Sequence, residues 1–495
     1  MYNRGRSFNL VWSNKLLVEI IISDRSVPTN KDCCNPGGYL TFGGKMVKEY
    51  LKYKKYPHFD KRMSVNKARK LLKNENVIKE HGFFPFIHYT IESKKLEKVD
   101  NKIYAKKEPK KREIYYCSHF DRYIYQHYAH FIGLKYNDYM VKNEIDECSG
   151  AYRIERGKCN IDFAYDMLEL IKKKEDVIVI VGDFTAFFDN LNHINLKRRL
   201  EKVLNEKLDD NLYKVFKSLT KFKYVNMTDL YDYYTVRNKK RSEKYYMRKL
   251  NVLMSINEFR DFIKSKNSTT NEDYLKNNNN DYGIVQGSPM SGLLANIYMI
   301  DFDKSMKKLA NNYNGKYLRY SDDFMLVIEC SNLSKVNKIY EKIQELIKSA
   351  GKIELKKEKT NIYQYKNGCL KCVNQLVFNS ENTTNIINFL GFSFDGKNIS
   401  IKDKTISKFF YKMNKKIKGL INKKNSLTIK QIYDKFSFQG ESKKNTKSNK
   451  GNFITYVKRA EKKFSGETKI ANVRKSSKIK VTERIGIIKS KYNGK

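Results

Sequence analysis

Along this chain the apolar positions fall into three patterns: unbroken runs, alternating stretches and helical spacings. Val177–Val181 is an uninterrupted β-branched run, the mark of a strand buried on both faces, and Asp183 follows just beyond its end. Leu318–Tyr320 and Phe324–Ile328 are two mainly apolar runs joined by Ser321-Asp322-Asp323, which predicts a tight β-hairpin. Strands are also expected at Ile114-Tyr115-Tyr116, after Lys110-Lys111-Arg112, and at Phe389–Phe394. With 177–182 and 316–329, the last should form one antiparallel sheet. Helical spacing marks Asp121–Ile132 (Tyr125, Tyr128, Ala129, Ile132), Asn190–Leu204 and Lys335–Ser349, with a basic helix over Val65–Val77. Gly37–Gly38 and Gly43–Gly44 mark turns. Residues 205–281 are poorly patterned, with a basic Tyr-rich segment, Arg237–Lys249, and a polar tract, Lys264–Asp281; they read as an insertion with a flexible loop. Beyond Ile401 the chain is mostly helical and very basic, broken by a low-complexity loop at Gly440–Gly451.

Composition narrows the class. A chain of 495 residues implies two to four domains at roughly 150 residues each. Its net charge of +45 calls for a polyanionic partner, and nucleic acid is the first candidate. The Lys, Asn, Ile and Tyr bias of AT-rich coding contributes to that charge. Eight scattered cysteines fit reduced thiols in a cytoplasmic protein. Cys369 and Cys372 form a lone Cys-x-x-Cys without the second pair that a zinc site needs. The apolar stretch Leu16–Ile22 is interrupted by Glu19, and no run approaches the roughly 18 apolar residues of a membrane span.

The chemistry rests on acids. Joining a nucleotide to a primer requires in-line attack by a hydroxyl on an α-phosphate, which two magnesium ions roughly 4 Å apart can promote. Magnesium takes hard oxygen ligands and keeps several waters, so two or three carboxylates on rigid supports suffice. Asp183 at a strand end and Asp322-Asp323 in a hairpin are such a set if the two strands are neighbours. Each alone is also ordinary turn chemistry.

The flanking text decides the matter. Asp183-Phe184-Thr185-Ala186-Phe187-Phe188-Asp189, Gln286-Gly287-Ser288-Pro289-Met290-Ser291-Gly292, Tyr320-Ser321-Asp322-Asp323, Lys359-Thr360 and Phe389-Leu390-Gly391-Phe392 follow one another in order. From about Lys106 to Phe394 the chain resembles the reverse transcriptases, and specifically the bacterial ones. The resemblance implies an α+β right-hand polymerase of fingers, palm and thumb, with an antiparallel palm sheet and a helical C-terminal region. It divides the chain into an N-terminal extension and start of fingers (1–105), fingers (106–176), palm (177–400, with the insertion) and thumb (401–495). It implies that Asp183 and Asp322 bridge two Mg2+ ions, for which Mn2+ can substitute, that Phe184 lends a backbone carbonyl, and that Asp323 supports the site as a more peripheral charge. Arg112 and Lys111 would hold the triphosphate, with Gln286 and Gly287 packed under the nucleotide and Lys359 as general acid for pyrophosphate. Phe188 falls at the steric-gate position and Ile300 at a second selective position, which favours deoxynucleotides. Tyr320, Ser288, Pro289 and Arg153 would meet primer or template.

Ser321 stands where many bacterial relatives carry alanine. No nuclease module follows the palm, and no acidic cluster resembles an RNase H domain. Phe453–Arg459 resembles the helical tail of defence-associated, abortive-infection reverse transcriptases. That likeness implies an anti-phage role, a non-coding RNA partner and a homo-oligomer. The expected partners are an RNA template, deoxynucleoside triphosphates and DNA product, with no membrane. Two alternatives stand beside templated synthesis: template-independent or protein-primed addition at the same site, and a catalytically silent RNA-binding scaffold.

Overall fold

The computed structural model describes residues 39–42, 45–48, 50–93, 96–99, 102–105, 109–153, 156–237, 250–330, 332–378, 384–421, 429–436 and 452–493. The stretch Leu16–Ile22, the turns at Gly37–Gly38 and Gly43–Gly44, residues 238–249 and the Gly440–Gly451 loop lie outside them. Among the described residues no helix is long and apolar enough to cross a membrane. Two compact units emerge, each built from separated stretches of chain.

The first unit is formed by the described residues of 39–139 and 188–298. Its sheet has Lys110–Tyr116 antiparallel to Phe86–Ser93, which runs parallel to Lys223–Asn226, itself antiparallel to Lys276–Asn277. The last two strands come from residues 205–281, so the described part of that insertion contributes to the unit's sheet. Its helices are Asp210–Thr220, Met227–Val236 and Ile256–Lys264. Asp209 caps the first through the Leu212 N–H, and Ser255 with Glu258 forms a capping box on the third. Leu230, Tyr233 and Phe262 then bury themselves with Phe59, Ile87, Tyr116 and Val225. Short elements with many Tyr and Asn residues hide this order from a periodicity reading. The helix expected over Val65–Val77 is two helices, Val65–Leu72 and Glu75–Glu80. Asn74 breaks it by adopting extended backbone and capping the second through the Asn76 N–H.

The second unit is formed by the described residues of 140–187 and 299–493. Asp176–Thr185 is the central strand of its main sheet. On one side it pairs with Asp323–Ile328, which continues through the hairpin to Lys316–Tyr320. On the other side it pairs with Asn361–Lys366, followed by Cys369–Cys372. Every pairing is antiparallel. Val177 through Ile180 are fully buried, as a strand covered on both faces must be. Val177, Val179, Met325 and Val327 pack against Ile161, Ala164, Met167, Leu168 and Ile171 of the helix Asn160–Lys173. On the other face, Phe302 of the helix Ile300–Asn311 meets Phe184 and Tyr317.

Three expectations need correction. Asp183 lies within the central strand, which continues to Thr185, not beyond its end. Phe389–Phe394 is a hairpin, not one strand: Ile387–Phe389 and Phe392–Phe394 flank Leu390 and Gly391, whose φ values are +46° and +92°. Two successive left-handed residues make a tight reversal, with glycine relieving one of them. This hairpin pairs with Ile399–Ile401 in a separate three-stranded sheet, so it does not join the main one. Asn361–Lys366 takes the place expected for it. That strand buries Ile362, Tyr363 and Tyr365 among Asn361, Gln364 and Lys366 and has no apolar run to announce it.

Beyond residue 401 come the helices Asp403–Ile421, Ile429–Phe436, Phe453–Lys463 and Thr468–Asn493. They close around Phe409, Met413, Ile417, Ile432, Phe436, Ile454 and Val481.

Candidate active site

Antiparallel pairing brings the acids together. Asp183 lies directly opposite Asp323 in the ladder, so both side chains leave the same face of the sheet. Asp322 occupies the two-residue turn, and its carbonyl accepts a hydrogen bond from the Phe184 N–H at 2.9 Å. Residues 183 and 322, far apart in sequence, are thus joined through backbone.

The turn is braced from beneath. Arg319 and Asp303, both 0% exposed, form a bidentate pair with Nε–Oδ1 2.9 Å and Nη2–Oδ2 2.7 Å. Tyr317 donates its hydroxyl to the same carboxylate at 2.9 Å, and Arg319 Nη1 donates to the Ser321 carbonyl at 3.2 Å. Arginine within a buried strand was the sequence signal for this knot, because a buried charge requires a partner.

Lysines face the acids. Lys359 ends a 3-10 turn beginning at Lys357, and its ammonium forms an ion pair with Asp183 Oδ2. Lys356, just before that turn, donates its N–H to the Asp183 carbonyl at 3.0 Å. Lys402 lies near Asp323: burial holds its ammonium below the usual lysine range, and the charge of Asp323 partly offsets this. Sequence reading missed Lys402, one lysine among many.

Magnesium binds to one or two carboxylates together with waters and substrate phosphates. Among the described residues no group of three or more Asp, Glu, His or Cys side chains is placed to hold a metal ion by protein ligands alone. Two acids on one face, a third on the adjoining turn and an ammonium already drawn to Asp183 fit ions whose remaining ligands come from solvent and substrate.

The other expected residues distribute as follows. Tyr320 is half-buried and meets Phe163 edge-on at 5.9 Å. Arg153 was expected at primer or template, but its side chain is 2% exposed and it pairs with Asp146 while donating to the Asp146 and Ser149 carbonyls. That geometry makes it a brace for its own loop rather than a cation offered to phosphate.

In the first unit, Phe188 lies in the short turn Phe187–Asn190, partly buried, and its carbonyl accepts from the Ile284 N–H at 3.0 Å. Gln286 donates Nε2 to Asp189 at 3.4 Å, and its carbonyl accepts from the Tyr115 N–H at 2.9 Å. Buried Ser288 accepts from the Met290 N–H, and Pro289 lies just ahead of the helix Ser291–Tyr298. Strand alternation puts Lys111 on the face of Tyr115 and exposed Arg112 on the opposite one.

Gly287 has φ +133°, and a Cβ there would stand 2.1 Å from the Tyr115 carbonyl oxygen. Gly287→Ala is therefore expected to destabilise this unit by about 2–3 kcal/mol, combining backbone strain with a clash against main chain. Chemical denaturation of the variant checks this; an unchanged midpoint would show that the segment yields freely.

The fold is mixed, and its central antiparallel strands set Asp183 opposite Asp323 beside the hairpin turn at Asp322. Residues 134–394, more than half the chain, match the family model "Reverse transcriptase (RNA-dependent DNA polymerase)", and the chain belongs to that family. No curated protein matches the sequence. Among solved structures, telomerase from Candida albicans in complex with a TWJ fragment of telomeric RNA is similar at 14% identity, covering 87% of this chain and 65% of that one, with TM-score 0.38. Telomerase from Candida tropicalis in the corresponding complex gives 15% identity, 85% and 67% coverage and TM-score 0.36. The apo Candida tropicalis enzyme truncated from its C-terminal domain gives 15% identity, 68% and 60% coverage and TM-score 0.36. This chain thus spans 60–67% of the length of these telomerases.

Proposed function

We propose that the protein is an RNA-directed DNA polymerase that extends a primer with deoxynucleotides, using Asp183, Asp322 and Asp323 to hold two divalent ions. The observation that carries this reading is the register of Asp183 against Asp323 beside the Asp322 turn, within a reverse transcriptase-family chain. Bound there, Mg2+, or Mn2+ in its place, would activate the primer hydroxyl and neutralise the departing pyrophosphate. Asp183 and Asp322 would hold the ions, the Phe184 carbonyl would offer a further oxygen, and Asp323 would add a supporting charge. Lys359 exchanges Asp183 for the pyrophosphate and donates a proton to it. Lys111, Arg112, Gln286 and Gly287 hold the incoming nucleotide, while Tyr320, Ser288 and Pro289 meet primer and template. In this reading the fingers occupy 106–176, the palm 177–400 and the thumb 401–495. The basic helices after residue 401 support duplex binding through phosphate contacts.

A bacterial anti-phage role in the cytoplasm, with a non-coding RNA partner and a homo-oligomeric enzyme, rests on the likeness of Phe453–Arg459 to defence-associated relatives.

Purified protein, labelled deoxynucleotides and Mg2+, with and without RNase pretreatment, test the reading. Product complementary to an added RNA supports templated synthesis. Product that survives RNase treatment and lacks a template favours template-independent addition, and absence of any product favours the RNA-binding scaffold.

Phe188→Val is expected to admit ribonucleotides, lowering the preference for deoxynucleotides by about tenfold to a hundredfold. This is the range for removing bulk from a selective pocket. Competing dTTP and UTP incorporation measures it; an unchanged ratio would remove Phe188 from the gate.

A further inference from the structure

We infer that Tyr152 is a positioning residue for the catalytic turn: its hydroxyl bonds Ser321 and sets the direction of the adjoining Asp322 carboxylate. The inference rests on the polymerase reading above and adds a residue to it.

The turn is held in an unfavourable conformation. Ser321 has φ +64° and Tyr152 has φ +55°, left-handed backbone that side chains other than glycine rarely adopt. Such residues persist where their surroundings over-determine them, and they cluster where a site must be held in one geometry. Three bonds fix the turn. Ser321 Oγ donates to the Tyr152 hydroxyl at 3.1 Å. Arg319 Nη1 donates to the Ser321 carbonyl, and Phe184 N–H donates to the Asp322 carbonyl. The second and third hold main chain, whereas the first holds the Ser321 side chain immediately before the metal-binding acid.

Tyr152 is itself anchored. The Gly150 N–H donates to the Arg319 carbonyl at 2.9 Å, and Ser149 forms a parallel bridge with Arg319. Arg153 and Arg156 both pair with Asp146, closing the base of the loop. The hydroxyl therefore belongs to a framework attached to the hairpin by backbone, as a group must be if it is to orient another. Alanine at position 321 would offer no oxygen to this arrangement, so the contact depends on the serine this chain carries.

Tyr152→Phe keeps the ring and removes the hydroxyl alone. Mn2+ binding to nucleic acid-free protein, read from the EPR signal of the free ion, should weaken about three- to tenfold, the range for losing one hydrogen bond. In primer extension, half-saturation by Mg2+ should rise similarly and kcat should fall, with KM for the deoxynucleotide within about twofold of wild type. Ser321→Ala should reproduce these changes, and the double variant should be no worse than either single one. Unaltered Mn2+ affinity in Tyr152→Phe, even with a lowered melting temperature, would overturn the inference by reducing the contact to a structural brace. Additive losses in the double variant would also overturn it. If wild-type protein binds Mn2+ yet extends no primer, the polymerase reading fails, while the Mn2+ comparison still decides the role of Tyr152.

Discussion

Asp322→Asn will lower nucleotide addition by about a thousandfold or more while leaving the protein folded and bound to nucleic acid. The substitution preserves shape and removes charge, so it isolates what the carboxylate does. A group that acts directly on charge developing in the transition state accounts for about 10²–10³ in rate even when it is a single neutral donor. A carboxylate that holds the ion itself should exceed that. The fold should tolerate the change because Asp322 lies on the hairpin turn and is only half-buried, and its backbone carbonyl still accepts from Phe184. Substitutions at such positions usually shift stability by no more than about 0.5 kcal/mol. Primer extension, thermal unfolding and filter retention of RNA on the same preparation separate the three properties. Normal polymerisation by the variant would show that the acids have been misassigned.

Arg319→Met will destabilise the second unit by about 3–5 kcal/mol, the cost of leaving one half of a buried ion pair without its partner. Asp303 would then keep only the Tyr317 hydroxyl among the bonds described above, inside a protein interior where its charge has no water. The companion experiment removes the whole knot. Arg319→Met with Asp303→Leu and Tyr317→Phe should recover most of the lost stability, because apolar groups of similar volume carry no desolvation penalty. Urea unfolding measures both variants. Activity of the triple variant should still fall below wild type, since the Ser321 carbonyl loses its Arg319 donor and the turn loses definition. Similar instability in the single and triple variants would mean that packing, rather than the ion pair, dominates at this position.

The placement of Asp183 beside the Asp322-Asp323 hairpin was legible in sequence because each lies at a boundary between strongly patterned segments: a β-branched run before Asp183, and a hairpin around Asp322 and Asp323. Their supports were less visible. Arg319 lies in plain sight within an apolar strand, but its partner Asp303 lies on a helix among other charged residues, and no periodicity singles it out. Asn361–Lys366 went unread as a core strand because Tyr and Asn carry weaker burial signals than Val and Ile. The Phe389–Phe394 run was misread for the opposite reason. Its three phenylalanines, Phe389, Phe392 and Phe394, concealed a reversal at Leu390-Gly391, where backbone conformation decides and hydrophobicity does not. Residues 205–281 show a third kind of loss: short elements set by caps such as Asp209 and Ser255 contribute strands to a sheet whose other members lie more than a hundred residues earlier.

The claim on which the account stands is that divalent ions sit against Asp183 and Asp322. Crystals of the protein with a template–primer and a non-hydrolysable deoxynucleoside triphosphate, grown in Mn2+, would locate them by anomalous scattering. The account predicts two peaks roughly 4 Å apart, both within coordination distance of the 183 and 322 carboxylates. Peaks elsewhere, or nucleotide bound with no ion at these acids, would contradict it.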